Sequence, residues 1–547
     1  MASRPIDAQK QLGAFYTPVD AVRFLVQWGL EVAPGRVMDP SCGDGRFLVV
    51  AAEMGATHLI GIDLDENAIA ETTAALKSVQ PPAQLITSDF FKVSPATVMP
   101  VDLVVGNPPF IRYQHFKGET RRCALESALC VGVRLTQLTA SWAPFLLHAL
   151  QFLQQGGALA MVVPAEIVNT TYGNNTLRAL AGAFRRIRLV SFEQNWFDDA
   201  QEETLLLLAE GRGESCNFIE LIPLQHVLDL HHLDLTAVTP NTQHLDLTTE
   251  GPIAFVSAFL TDNEWRAWQL VQNHPLMKRI GELGAVTNGY VTGANSFFHR
   301  TLASALSEGL PNSWLIPTAR NARSLRGLRY TPDDIAESEN LGLAHHLVVP
   351  EDCNLFNTNL DALARFIERG KSQDIHKRFK CRTRKTWWKV PGLVHADVFL
   401  PYMIGTSPRS SVNAAQAFYS NTLHGVRLNP TISPDQFALS MHSTVTLLSM
   451  ELEGRSYGGG ILKLEPSEME RVLLVHCPLL EKEKFEEAFN TVDRLLRDGD
   501  YLAAVSIVDE ILLRRCMGLP QTTIDLLATA RRRLVERRVK RNRVKNK

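Results

Sequence analysis

The 547-residue sequence lacks the features that mark a membrane, secreted or zinc-stabilised protein. No apolar run approaches the roughly 18 residues of a membrane span, and the N-terminal residues lack the apolar core of a signal peptide. The eight cysteines include no CxxC pair, which argues against a zinc site or a disulfide framework. We therefore expect a protein of a reducing cytoplasm, with no membrane segment and no metal.

Net charge is also small, but it is unevenly distributed. The whole chain carries −2, whereas residues 531–547 contain ten Lys or Arg and one Glu, a local charge of +9. The rest of the chain therefore carries −11. Such a basic tail suits contact with a polyanion and equally suits a solvated chain end, so both interpretations stay open.

The length requires more than one hydrophobic core, and the first 210 residues alternate between strand and helix patterns. Apolar β-type runs are separated by helical patterns, for instance at 19–30, 67–78 and 141–154. This alternation predicts a mostly parallel sheet covered on both faces. Only the last two runs, 187–192 and 204–209, leave no room for a helix between them, which predicts an antiparallel end.

Glycines and carboxylates follow the first three strands. A tight glycine turn between a strand and a helix lets the backbone approach a ligand at the helix N-terminus, and it is neither GxGxxG nor a P-loop. A carboxylate after the second strand can hold ribose hydroxyls, and an Asp-Phe pair after the third can bind an adenine amino group and cover its ring. The candidates are Asp39, Ser41, Gly43, Gly45, Asp63, Asp89 and Phe90.

The fourth strand, 101–105, ends in a rigid elbow, GNPPF at 106–110. Its two prolines fix the backbone and remove two amide donors. Asn107 precedes the prolines and Phe110 follows them. The elbow therefore shares the strand-end edge with the three carboxylates, and open α/β sheets bind ligands at that edge.

This order of motifs resembles the class I S-adenosylmethionine-dependent methyltransferases. The sequence NPPF resembles the signature of enzymes that methylate an sp2 amino nitrogen, chiefly N6 of adenine in DNA. The resemblance is tight over residues 13–210 and loose over 280–475. It implies that the Asn107 side-chain oxygen and the Pro108 carbonyl accept the hydrogens of the target amine. It also implies that Phe110 stacks on a flipped base.

The order of the elements is that of the gamma class, and GNPPFIRYQ resembles the modification methylases of type II restriction systems. That class has an F-x-T-P-like element before the glycine turn, and here GAFYTP offers Tyr16 and Thr17 for the methionine end of the cofactor. The class also presses a second aromatic ring on the flipped base. The segment NWFDDAQEE offers Phe197, with Trp196 as the alternative, although its acidity departs from the family pattern.

The C-terminal half resembles the target recognition domain of the same class. Three segments, 286–300, 382–391 and 455–474, mix glycines, cations and aromatic residues, which suits contact with phosphates and unstacked bases. Arginines also recur at spacing three from residue 320 to 329, as on one helix face, although Gly327 opposes a helix. The candidates for DNA contact are Arg320, Arg323, Arg382, Arg384, Lys385 and Trp387.

We predict an α/β, Rossmann-like methyltransferase domain at 1–211, a connection at 212–280, a mixed α+β recognition domain at 281–477, and a helical segment with the basic tail at 478–547. The expected activity is site-specific adenine-N6 methylation of double-stranded DNA with S-adenosyl-L-methionine, with any cognate restriction endonuclease a separate protein. Cytosine N4, RNA and protein glutamine stay open as acceptors, as does a modification subunit that needs a partner. Cytosine C5 chemistry is disfavoured because no Pro-Cys nucleophile motif occurs.

Overall fold

The computed structural model describes residues 17–77, 79–193, 196, 204–235, 242–247, 255–350, 359–457, 459–477 and 482–543. The chain forms two compact units. The N-terminal unit comprises Met1–Phe259 with Val539–Lys547, and the C-terminal unit comprises Leu260–Arg538. Within the described ranges, no helix combines the length and the apolarity needed to cross a bilayer.

One nine-stranded sheet forms the centre of the N-terminal unit. Its strands are β1 (Arg36–Asp39), β2 (His58–Asp63), β3 (Ala83–Thr87), β4 (Val101–Gly106), β5 (Leu153–Pro164), β6 (Phe184–Phe192), β7 (Thr204–Arg212), β8 (Phe218–Leu224) and β9 (Gln243–Asp246). Across the sheet the order is β3-β2-β1-β4-β5-β7-β6-β8-β9. Strands β1 to β5 pair in parallel, whereas β7 is antiparallel to β5 and β6, so the predicted parallel sheet with an antiparallel end is confirmed. Strands β8 and β9 continue this sheet, which places residues 212–259 in the N-terminal unit.

Helices pack on both faces of the sheet because its central strands are apolar on both sides. They are α1 (Val19–Val32), α2 (Arg46–Glu53), α3 (Glu66–Ala75), α4 (Gly118–Cys130), α5 (Trp142–Ala149), α6 (Glu166–Asn169) and α7 (Thr171–Ala181). In β4, Val104 packs into one core with Trp142, whereas Leu103 and Val105 pack into the other with Leu25. Successive side chains of a strand point to opposite faces, so this strand contributes to both cores.

The helix predicted over 141–154 is shorter than expected, because α5 ends at Ala149 and β5 begins at Leu153. Gly156 has a φ of +79°, which a helix excludes. A Cβ on Gly157 would stand 2.9 Å from the carbonyl oxygen of Asp102 in the neighbouring strand. The two glycines therefore suit the entry into a tightly packed strand rather than a helix.

The C-terminal unit contains four small sheets in its described part, ordered β10-β23, β11-β20-β16-β18-β14, β12-β15-β13-β19 and β17-β22-β21. The strands are β10 (Met277–Arg279), β11 (Gly284–Asn288), β12 (His299–Arg300), β13 (Leu315–Ala319), β14 (Arg329–Tyr330), β15 (His346–Val348), β16 (Val398–Pro401), β17 (Met403–Ile404), β18 (Ser411–Asn413), β19 (Phe418–Tyr419), β20 (Leu423–Leu428), β21 (Arg455–Tyr457), β22 (Ile461–Lys463) and β23 (Leu473–Val475).

Helices separate these strands and close the unit. They are α8 (Asp262–Gln272), α9 (Ile280–Leu283), α10 (Asn295–Phe298), α11 (Leu302–Ser307), α12 (Pro332–Asn340), α13 (Leu360–Ser372), α14 (Phe379–Arg382), α15 (Pro434–Ser440), α16 (Thr444–Glu453), α17 (Pro466–Met469), α18 (Lys482–Asp498), α19 (Tyr501–Asp509) and α20 (Gln521–Arg543). The mixed α+β character expected for this half is confirmed. The segment after residue 481 is helical, and up to Arg538 it belongs to this unit.

The arginines at spacing three do not share a helix face, because that stretch forms no α-helix. A 3-10 turn spans Ala322–Ser324, and β14 follows at Arg329–Tyr330. Between them, Gly327 leaves room for Asp493, whose carboxylate accepts the Leu328 amide at 2.6 Å. A helix would give that amide a partner of its own, so the interpretation as one basic helix face is wrong.

The first part of the basic tail lies in α20, and several of its cations bind the protein itself. Arg538 is 3% exposed and pairs with Glu451 at 2.9 Å. Arg533 pairs with the buried Glu264. These arginines therefore contact the C-terminal unit itself, and their charge is compensated within it.

Candidate active site

The parallel strands of the N-terminal unit end at one edge of the sheet and bring the predicted polar residues there. Strand β1 ends at Asp39, β2 ends at Asp63, Asp89 follows β3, and β4 leads into Asn107. Strand β1 lies between β2 and β4, so the order of the sheet reverses at this point. Open α/β sheets bind ligands outside such a switch point, which makes this edge the candidate site.

The glycine turn after β1 is fastened to the end of β2. The Gly43 amide donates to Asp63 Oδ2 at 2.9 Å, and the Asp65 amide donates to Oδ1 at 2.9 Å. Gly43 and Gly45 have φ values of +53° and +81°, which favour glycine. A carboxylate oxygen can accept two hydrogen bonds, so Asp63 still has acceptor capacity for ligand hydroxyls.

Asp39 is almost fully buried beside this turn, with 1% of its surface exposed. Its Oδ1 accepts the Ser41 amide at 3.0 Å, whereas Oδ2 is buried and has no hydrogen-bond partner among the described residues. Burial raises the pKa of Asp39 to about 8. A buried acceptor without a donor is costly, so Oδ2 is suited to a donor that a ligand brings.

Thr17 provides a second buried oxygen near the same turn. Its carbonyl accepts Nη1 of Arg46, the first residue of α2, at 2.5 Å. Its Oγ1 is buried and, within the described ranges, has no hydrogen-bond partner. Tyr16 lies outside the described residues, so its expected contact stays a prediction. No cluster of metal-ligating side chains occurs in the part of the chain that the structure describes.

The elbow after β4 is held by a serine that the sequence analysis did not select. Ser141 is 1% exposed, and its hydroxyl donates to the carbonyl of Pro109 and accepts the Ile111 amide at 2.9 Å. The Ser141 amide in turn donates to the Ile111 carbonyl at 3.0 Å. A serine before a helix usually caps it, but this hydroxyl makes no cap bond to α5. Ser141 instead fixes the path of the elbow.

The elbow also contains Asn107, Pro108 and Phe110. The Asn107 carbonyl accepts the Ser41 hydroxyl at 3.1 Å, which ties the elbow to the glycine turn and leaves the side-chain amide half-buried. The Pro108 carbonyl accepts no hydrogen bond within the described ranges. Phe110 is half-buried and contacts both cores. The elbow thus combines a rigid backbone, an amide oxygen, a carbonyl and an aromatic ring.

The Asp-Phe pair after β3 is split between the site edge and the core. Asp89 accepts the Phe91 amide at 3.1 Å and the Thr120 hydroxyl at 2.7 Å. Phe90 is 4% exposed, and its ring centroid lies 4.7 Å from that of Phe145 and 4.5 Å from that of His148. Phe90 is therefore placed as a core residue, contrary to the expectation that its ring covers an adenine.

The second aromatic ring of the site cannot be placed, because Phe197 lies outside the described residues. Its alternative, Trp196, is 8% exposed and packs against Phe192 with a centroid distance of 5.1 Å and an angle of 57° between the rings. The indole Nε1 of Trp196 donates to the Thr204 carbonyl at 3.4 Å. Trp196 thus packs in the core, and Phe197 stays the prediction.

Three of the six C-terminal candidates serve the protein's own structure. Arg384 donates to the carbonyls of Val291 and Thr292 at 2.6 and 2.7 Å, and burial lowers its pKa. Arg320 donates to the Ala344 carbonyl at 2.7 Å. Trp387 is half-buried, and a Cβ on Gly370 would collide with its ring. These contacts join distant segments, which the local sequence pattern does not reveal.

The other three candidates, Arg323, Arg382 and Lys385, are exposed. Phe379 is an exposed aromatic residue beside Arg382 that the sequence pattern did not single out. It is 63% exposed, and Lys380 Nζ and Arg382 Cζ lie 5.9 and 5.6 Å from its centroid. An exposed ring among cations is the combination that stacks on bases beside a phosphate backbone.

The sheet order, the glycine turn and the strand-end carboxylates together define a class I S-adenosylmethionine-dependent methyltransferase. Residues 5–183 match the family model for N-6 DNA Methylase, and residues 253–513 match that for the C-terminal domain of the type II methyltransferase M.Eco57I. Among solved structures, that of the ATP-dependent Type ISP restriction-modification enzyme LlaBIII bound to DNA has a similar fold. The superposition includes 89% of this chain and 40% of the LlaBIII chain, with a TM-score of 0.51 and 10% sequence identity.

Two relatives are similar over most of their length. The chain is 22% identical over 498 residues to type II methyltransferase M.AccI of Acinetobacter calcoaceticus, covering 89% of each. It is 24% identical over 474 residues to type II methyltransferase M.XamI of Xanthomonas campestris pv. amaranthicola, covering 84% of each. Over most of its length the chain is thus similar to type II DNA methyltransferases of restriction-modification systems, and its methyl donor is S-adenosylmethionine.

Proposed function

We propose that this enzyme methylates N6 of an adenine within a specific DNA sequence, after turning that base out of the duplex. The observation that carries the proposal is the clamped elbow, with two acceptors at the ligand-binding edge of the sheet. An exocyclic amine is a weak nucleophile because its lone pair is delocalised into the ring. The Asn107 side-chain oxygen and the Pro108 carbonyl would accept its two hydrogens and localise that lone pair on nitrogen.

The rigidity of the elbow is part of this mechanism. Two prolines restrict its backbone, and the hydrogen bonds of Ser141 fix Pro109 and Ile111, the residues on either side of Phe110. Acceptors that are already in place need no reorganisation when the amine begins to change its geometry. Phe110 gives the flipped ring a surface for stacking, with Phe197 proposed on the other side.

The residues around the glycine turn fit the methyl donor. When bound, S-adenosylmethionine supplies an electrophilic methyl group on a sulfonium ion. We assign Asp39 Oδ2 and Thr17 Oγ1 to donors of its methionine part, since both oxygens are buried without a partner among the described residues. Asp63 is assigned to the ribose hydroxyls and Asp89 to the adenine amino group. Ser41, Gly43 and Gly45 shape the backbone against which the cofactor lies, and Tyr16 stays a predicted contact.

We assign sequence recognition to the C-terminal unit. Its match to the M.Eco57I C-terminal domain and its exposed basic and aromatic side chains support this assignment. Arg323, Arg382 and Lys385 are proposed for phosphates, and Phe379 for a base. A cognate restriction endonuclease, where one exists, is proposed to be a separate protein.

The deciding experiment is long-read sequencing of genomic DNA from a methylation-free host that expresses the protein or its Asn107→Ala variant. We expect N6-methyladenine at one short motif with the native protein and none with the variant. The variant should still bind S-adenosylmethionine, because Asn107 is assigned to the base and not to the cofactor.

Other outcomes would change the proposal in defined ways. If the sequencing finds N4-methylcytosine at one motif, the target base is cytosine and not adenine. No modified base, from a folded protein that binds the cofactor, would point to an RNA or protein acceptor or to a missing partner subunit. Asn107→Ala methylating DNA at the native rate would remove Asn107 from the catalytic role.

A further inference from the structure

A groove in the C-terminal unit joins the stretch that holds Arg323, already a candidate for DNA contact, to a stretch that the sequence pattern did not connect with DNA. Its walls are the 3-10 turn Ala322–Ser324 and the stretch that follows β16, from Met403 to Arg409. Its volume is about 210 Å³, far above the roughly 10–15 Å³ that one water molecule needs on the same scale. None of the described residues that line it is acidic.

Two arginines line this groove, Arg323 from the 3-10 turn and Arg409 from the stretch after β16. Neither guanidinium forms a hydrogen bond or an ion pair within the described ranges. The neighbouring arginines differ, since Arg326 pairs with Glu337, and Arg329 pairs with Asp435 at 2.8 Å. The groove thus gathers two uncompensated positive charges in a region where other arginines are paired.

The wall that carries Arg409 is fixed by the C-terminal helices. Arg538 Nη2 donates to the Gly405 carbonyl at 2.7 Å, and Arg531 Nη2 donates to the Thr406 carbonyl at 2.7 Å. The Tyr501 hydroxyl donates to the Pro408 carbonyl at 2.9 Å. On the other wall, the Asn321 side chain accepts the Arg323 amide at 3.0 Å. Both arginines therefore extend from a backbone that needs little ordering on binding.

We infer that this groove binds a phosphate group of the DNA backbone through Arg323 and Arg409, an inference that rests on the proposed function. Guanidinium groups present several N–H donors in a plane and match phosphate oxygens well. The absence of a carboxylate from the described lining leaves no internal competitor for them. A phosphate contact carries no base information, so its role is to orient the C-terminal unit on the duplex.

The test measures binding of a mixed-sequence DNA duplex to the full-length protein by fluorescence anisotropy at several salt concentrations. Arg323→Gln and Arg409→Gln should each weaken binding about tenfold and lower the slope of log affinity against log salt by about 0.9. The double variant should lower that slope by about 1.8. The control is Arg266→Gln, which removes the same charge from an exposed position on α8 outside the groove.

Thermal unfolding of every variant shows whether it is still folded. Binding of inorganic phosphate is measured as well, as a second ligand. Native affinity and native salt slope in both folded single variants would overturn the inference. If both variants lose phosphate binding but bind the duplex as the native protein does, the groove binds a free anion. That result would overturn the inference that it contacts DNA. Methylation by the native protein is measured in parallel, so that failure of the proposed function is seen separately from failure of the groove.

Discussion

Asp39 and Gly106 lie against each other at the point where the ends of β1 and β4 meet. A Cβ on Gly106 would stand 2.6 Å from Asp39 Oδ1. That distance is too short for any side chain, so the absence of one at Gly106 lets the buried carboxylate lie beside the elbow. The proposed cofactor site and the proposed base site are thus joined by one close contact.

Gly106→Ala should therefore impair both sites together. The added methyl group has to displace either the Asp39 carboxylate or the start of the elbow, and misplacement by about 1 Å can cost 100-fold in rate. We expect methyl transfer to fall about 100-fold and cofactor binding to weaken, measured by tritium transfer and calorimetry. Gly182→Ala is the matched control, because its nearest atoms would lie 3.6 Å away. Equal activity of the two variants would contradict the claim that the close approach of Gly106 to Asp39 is needed for methyl transfer.

Ser141→Ala should affect turnover without affecting the cofactor. The change removes the hydroxyl that binds the Pro109 carbonyl and the Ile111 amide, but it leaves the glycine turn untouched. We expect kcat to fall about tenfold to 100-fold, because the lost hydrogen bonds are worth about 1–3 kcal/mol, and the dissociation constant for S-adenosylmethionine to stay unchanged. Ser94→Ala, which removes an ordinary cap bond to Ala96, is the control and should keep native kcat. A native kcat in Ser141→Ala would exclude the positioning role.

Asp63→Ala should weaken cofactor binding and loosen the glycine turn. The substitution removes the acceptor of the Gly43 amide together with the acceptors proposed for the ribose. Hydrogen bonds to a charged group are worth about 1.5–3 kcal/mol, so the dissociation constant should rise roughly 10- to 100-fold. Isothermal calorimetry with S-adenosylmethionine measures this directly, and an unchanged constant would refute the assignment.

Asp39 should make the stability of the cofactor-free protein depend on pH. Its pKa is raised from 3.8 to about 8 in the folded state, so between these values the folded protein holds a proton that the unfolded chain has released. Its contribution to stability is complete below about pH 4 and is lost as pH rises towards 8, by up to about 1.4 kcal/mol per pH unit. Denaturant unfolding of Asp39→Asn should lack this slope. Parallel curves for the two proteins would show that Asp39 ionises normally.

Phe379 and Trp387 should give opposite results, although Phe379 lies just before the basic segment 382–391 that contains Trp387. Trp387→Ala removes a packed ring and should lower the free energy of unfolding by about 2–4 kcal/mol. Phe379→Ala removes an exposed ring and should change it by less than about 0.5 kcal/mol, while DNA binding weakens about tenfold. Fluorescence anisotropy measures the DNA affinity of both variants, and denaturant unfolding measures their stability. Native DNA affinity in Phe379→Ala would show that its exposure has no role in binding.

The architecture of the N-terminal unit and the candidate residues at its edge could be predicted from the residue pattern. Strand runs, helical periods, glycines and prolines act over a few neighbouring residues, so the turn at Gly43 and the elbow at Asn107 could be read locally. Since parallel strands end at one edge, these local features also predicted that the carboxylates would gather there.

Tertiary structure alone decided which of several similar side chains is free to act. Ser141 meets an elbow 30 residues earlier in the chain, and Arg384 meets a carbonyl 92 residues away. Phe379 is exposed whereas the half-buried Trp387 packs against the core, and Arg409 and Arg323 line one groove. Burial and pairing depend on contacts between segments far apart in sequence, and no local pattern of residue types contains that information.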